Sequence, residues 1–85
     1  MNEYALEYAG WEITWESEPT FLAVGFHADG SSLPYAIGGE DADELVSTVE
    51  GFSGGWVLFE LTDDLGEAPD YEVVDGSEYV TPYGG

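Results

Sequence analysis

An α+β domain, a small twisted antiparallel β-sheet with a single helix packed on one face, is the architecture this sequence predicts. Three observations carry that expectation. Only the stretch from Gly38 to Gly55 has helical periodicity: between glycine pairs, Ala42, Leu45, Val46, Val49 and Phe52 recur on one face, while Asp43, Glu44, Ser47 and Glu50 fall elsewhere. The segments on either side alternate with period two or run apolar on both faces, as strands do. A chain of 85 residues that is 44% hydrophobic and 15% aromatic has the apolar surface to build one core and no length for a second, so residues 1–85 are expected to form one domain.

From the N-terminus, Tyr4, Leu6 and Tyr8 alternate with Glu3, Ala5 and Glu7, which predicts a half-buried strand. Ala9-Gly10 suits a tight reversal. Trp11, Ile13 and Trp15 then alternate with Glu12, Thr14 and Glu16, so the two segments read as a hairpin. Ser17 to Thr20 carries a turn around Pro19, and Phe21 to His27 is apolar on both faces, as a central strand requires. Leu33 to Ile37 forms a short strand that Pro34 confines to an edge. Asp41 is placed to cap the helix, with Glu44 three residues on. Trp56 to Leu61 is a strong strand expected beside the helix-covered sheet. Thr62 to Asp70 reads as a polar loop, and Tyr71 to Val74 and Glu78 to Val80 as two weaker strands split by Asp75-Gly76. The tail from Thr81 is expected to fray.

The charge is the informative number. Nineteen acids, no lysine, no arginine and one histidine give a formal net charge of -19. Every carboxylate must be balanced by water, backbone N–H groups, hydroxyls, counterions or a partner, and the self-repulsion opposes compactness. Direct binding to nucleic acid or to an acidic membrane surface is excluded, because no basic patch exists to receive a phosphate. No segment approaches the length of a membrane span and the N-terminus lacks a basic region followed by an apolar run, so a soluble, cytoplasmic protein is expected.

Catalysis finds little support. There is no cysteine, His27 is the only imidazole, and no serine sits in a nucleophile-elbow motif. Carboxylate pairs of the glycosidase kind need a cleft that so small a chain has little room for, and with this many acids pairs arise by chance. Neither Asp41-Ala-Asp43-Glu44 nor Asp63-Asp64-Leu-Gly66-Glu67 completes a calcium-loop pattern, so loose screening by divalent cations is expected and no dedicated metal site or cofactor. The aromatic set is needed for the core, and stacking a nucleic acid beside this charge would be unfavourable.

What remains is the acidic surface as the active feature. Carboxylates on a rigid scaffold can fill the Lys/Arg groove of a nucleic-acid-binding protein and release counterions as phosphates do. Same-face residues on a strand repeat at about 6.6–6.8 Å, comparable to successive phosphates, although any solvated sheet face has that repeat. The contending reading is a salt-adapted acidic structural domain; against it, glutamates outnumber aspartates and not one basic residue is kept.

In size, charge and lack of cysteine the chain resembles the nucleic-acid-mimic inhibitors of phages and mobile elements, which block restriction enzymes, CRISPR effectors, glycosylases or nucleoid proteins. Locally, Tyr35-Ala-Ile37, the acidic helix start, Leu45-Val46, Phe52 and Gly55-Trp56, a stretch covering about a quarter of the chain, are similar in pattern to part of a small anti-Cas9 inhibitor. The resemblance implies a non-enzymatic DNA mimic acting in the host cytoplasm on a basic nucleic-acid-binding protein, foremost a CRISPR effector (an anti-CRISPR), with a restriction enzyme or other DNA-binding protein as the alternative. The residues expected to meet it are Glu12 and Glu16 from the second strand, Glu40, Asp41, Asp43 and Glu44 at the helix start, and Asp63, Asp64, Glu67 and Asp70 from the loop.

Overall fold

The computed structural model describes residues 4–15, 19–30, 32–63 and 70–83. Among them are six antiparallel strands in two sheets and one helix, in the order β1 (Tyr4–Tyr8), β2 (Trp11–Trp15), β3 (Phe21–Gly25), β4 (Tyr35–Gly39), α1 (Ala42–Val49), β5 (Trp56–Asp63) and β6 (Asp70–Gly76). The fold is a small α+β fold, as the periodicities predict.

β1 and β2 form a hairpin through Ala9 and Gly10, with Leu6 opposite Ile13 and Tyr8 opposite Trp11. Both loop residues have positive φ, 54° and 84°, the backbone of the two-residue turn whose twist matches the flanking strands. The other four strands form a second sheet in the order β4-β3-β5-β6. β3 is central, as its two apolar faces require, and β4 lies at an edge, consistent with the proline just before it.

The expected single sheet is therefore two layers. The hairpin covers the sheet face opposite the helix: Trp11 and Ile13 pack on Leu22, Val24, Phe26, Val57 and Phe59. On the other face Leu45 and Val49 of α1 close over Ala23 and Leu58, with Ala42, Val46 and Phe52 alongside, which is the helix face the sequence predicts. Alternate residues of β3 thus feed two separate cores, Leu22 and Val24 one, Ala23 the other.

Local chemistry sets the helix ends. Asp41 is extended, and its carboxylate accepts from the Glu44 N–H at 3.3 Å, satisfying one donor of the first turn. After Val49 the backbone leaves through Phe52, whose ring lies over Gly25; a Cβ there would stand 2.6–2.8 Å from ring atoms, so only glycine lets the ring settle on the sheet. β5 runs two residues further than expected, to Asp63, and β6 continues through Asp75-Gly76, which pair with Leu58 and Val57, while a register shift between Leu58 and Phe59 leaves Val74 as the extra residue. Glu78 to Val80 is not a strand.

The C-terminal segment does not fray over its described part. Thr81 is buried; its N–H donates to the Gly54 carbonyl at 2.9 Å, and its own carbonyl accepts from the Trp11 indole at 2.8 Å. The Tyr83 N–H donates to Ala9 at 3.0 Å, and its ring meets Trp11 edge-on at 5.0 Å. Residues 81–83 thereby tie the hairpin to the helix–β5 junction.

Candidate acidic partner interface

The register decides which acids stand together. A row across the helix face of the large sheet runs Gly39, Phe21, Glu60, Glu72 through successive strand pairs. Neighbouring strands are about 4.8 Å apart, so Glu60 lies roughly 10 Å and Glu72 roughly 14 Å from β4 along that row. Glu40 follows Gly39 directly, then Asp41, Asp43 and Glu44 open the helix; all four are exposed. The helix start and the β5–β6 pair therefore occupy the same end of the same sheet face. Packing of α1 on β3 and β4 leaves Glu72 exposed and Glu60 half-exposed beside it.

An open groove of about 400 Å³ lies at this end, between the Ile37–Gly39 edge and the first helical turn, with Glu40, Asp41 and Glu44 at its rim and Leu45 in its wall. One oxygen of Asp41 is engaged in capping, and the first-turn N–H groups favour negative charge there. Capping and the helix dipole account locally for Asp41, Asp43 and Glu44, but not for the absence of any lysine or arginine along the chain.

A second acidic patch lies on the outer face of the hairpin. Glu12 is exposed and stands directly opposite Glu7 across β1–β2, both pointing away from the core that Trp11 and Ile13 enter. Directly opposed like charges weaken a strand pair. Glu7→Lys places a cation against Glu12 and is expected to raise Tm by roughly 2–4 °C, most at low salt; an unchanged melt at 10 mM salt would show the pair is not strained.

Of the residues expected at the interface, Glu40, Asp41, Asp43 and Glu44 fall together and Glu12 lies on the separate hairpin patch. Asp63 and Asp70 are registered opposite each other where β5 and β6 begin to pair, beyond the Glu60–Glu72 row, rather than in a loop. Glu16, Asp64 and Glu67 lie outside the described residues. Glu7, Glu60 and Glu72 are additions: each stands alone among apolar or polar neighbours in the sequence, and only strand pairing brings it against another acid. The signal available was the alternation, which places Glu60 on the face opposite Phe59 and Leu61.

No group of three His, Cys, Asp or Glu side chains among the described residues is arranged to hold a metal ion. No helix among them is long and apolar enough to cross a membrane. The chain matches no protein-family model, no curated protein and no solved structure.

Proposed function

We propose that this protein is a non-enzymatic inhibitor that presents carboxylates in place of nucleic-acid phosphates and occupies the basic nucleic-acid channel of a defence complex, foremost a CRISPR effector and in the nearest variant a restriction enzyme. One observation carries the reading. Strand register sets acid against acid at Glu7–Glu12 and Glu60–Glu72, in a chain with no lysine or arginine to relieve either pair. Solubility asks for polar residues on these faces, not for like charges directly opposed at a cost to both hairpins. A surface meant for lysines and arginines gains from both features: paired carboxylates accept several charge-assisted hydrogen bonds at once, and any cation on the scaffold would repel the partner. The reading calls for no cofactor or metal and no direct contact with nucleic acid.

Competition is the test. Purified protein titrated into complexes of labelled DNA with candidate CRISPR effectors and restriction enzymes, at low salt, is expected to release the DNA from its target with stoichiometric dependence and steep loss of effect as salt rises. DNA binding left unchanged across the panel would sink the mimicry reading in favour of a structural acidic domain.

A further inference from the structure

A second cavity, smaller than the helix-start groove, lies where the two layers meet. Its volume is about 140 Å³, and it is lined by Glu12, Ile13, Thr14, Leu33, Pro34 and Ala36. The lining divides by chemistry. Leu33, Pro34 and Ala36 supply apolar wall over the buried Ile13, while Glu12 and Thr14 bring a carboxylate and a hydroxyl to its rim. β2 pairs with β1 alone among the described strands, so its other edge, with alternate backbone carbonyls unused by any strand partner, faces this cleft. Leu33 is 78% exposed, a large apolar side chain on the rim of a slot in a chain of charge -19. Among the described residues it belongs to neither core cluster.

We propose that this cleft takes one arginine side chain of the basic partner, the aliphatic stem lying along Leu33, Pro34 and Ala36 and the guanidinium meeting Glu12. Long cationic side chains bury their methylenes against apolar surface while the head stays polar, which is the division this lining provides. Arginine fits better than lysine. Its planar fork offers five donors, and the site has a carboxylate able to accept two of them, the Thr14 hydroxyl and the carbonyls of an open strand edge; lysine is a point charge with three donors. Glu7, directly across from Glu12, adds field without lining the cleft. A free carboxylate pair would attract any cation; the apolar wall selects one on a stem. The slot deepens the inhibitor reading and rests on it for the identity of the partner, but its chemistry can be tested without any partner.

The experiment titrates N-acetyl-arginine methylamide into the whole protein at low salt and follows methyl signals by NMR. Saturable shifts of the Ile13, Leu33 and Ala36 methyls in the millimolar range are expected, weaker with the lysine analogue and absent with the uncharged citrulline analogue. Glu12→Gln, at an exposed position that the fold does not depend on, should weaken the arginine response about tenfold, and Leu33→Ser should weaken it while leaving the methyl spectrum of the core intact. Equal response to citrulline, shifts spread over the acidic surface without the three methyls, or wild-type affinity in Glu12→Gln would each overturn the slot. Arginine binding as described with no displacement of DNA by the wild-type protein would uphold the slot and overturn the inhibitor reading.

Discussion

Gly55→Ala is expected to cost about 3 kcal/mol or more, enough to remove much of the stability of so small a fold. Gly55 has φ +95°, where a Cβ crowds the backbone, and the added carbon would point at the carbonyl of Tyr79 and stand 2.7 Å from the Ser77 hydroxyl. Neither neighbour is free to yield. The Ser77 hydroxyl donates to the Tyr79 carbonyl at 2.8 Å and accepts from the Trp56 N–H at 2.9 Å, while the Gly55 carbonyl itself accepts from Phe26 at 2.9 Å. One residue earlier, a Cβ on Gly54 would stand 2.6–2.7 Å from the backbone of Phe26 and His27 and from the Thr81 hydroxyl. This glycine pair is thus the joint at which the end of β3, the helix–β5 connection and the C-terminal segment meet. Gly51 provides the control, because a Cβ there meets nothing within 4 Å. Urea unfolding of the two variants beside the wild type should show Gly51→Ala within about 0.5 kcal/mol and Gly55→Ala far below it. A Gly55→Ala midpoint near that of the wild type would contradict the joint.

That joint also marks where sequence reasoning stops. The glycine pairs around the helix were legible as breakers, and so was the helix face, because spacing alone fixes both. Spacing did not show that Gly54 and Gly55 are glycines for want of room, since the crowding comes from Phe26 and His27 before them and from Ser77, Tyr79 and Thr81 after them, all more than 20 residues away in sequence. The hairpin was legible from the alternation of Trp11, Ile13 and Trp15 with Glu12 and Thr14, and its cover was not: alternation says that one face is buried, never against what. The apolar faces themselves imply the cover. Phe21 to Phe26 and Trp56 to Leu61 are apolar on both faces, one helix can cover only one of them, and the only other amphipathic element of sufficient size is the hairpin. Thr81 gave no signal at all, being a polar residue near the end of the chain whose burial depends on bonds to Trp11 and Gly54. The same limit applies to the acids. Clusters adjacent in sequence, such as Glu40 to Glu44, could be seen; Glu60 and Glu72, twelve positions apart, become neighbours only through the β5–β6 register.

Because register makes this acidic end, its contribution should separate from that of charge in general. Glu40, Glu44, Glu60 and Glu72 all changed to glutamine is expected to weaken displacement of DNA from the basic partner by about 10² to 10³-fold at low salt, each lost carboxylate removing charge-assisted bonds to lysine or arginine. The fold should hold and the melt should rise slightly, since the Glu60–Glu72 opposition is relieved and none of the four is a buried side chain. The salt dependence should become shallower as well, because fewer ion contacts are formed. Changing Glu50 and Glu78 to glutamine separates place from number. Glu50 closes the far end of α1, about 12 Å along the helix from its start, and Glu78 adjoins the Gly55 joint at the opposite end of the sheet. If the acidic end is the contact, that double variant displaces DNA nearly as well as the wild type. If displacement instead falls in proportion to the charges removed wherever they lie, a diffuse polyanion explains the inhibition, and the row from the helix start to Glu72 has no special part in it.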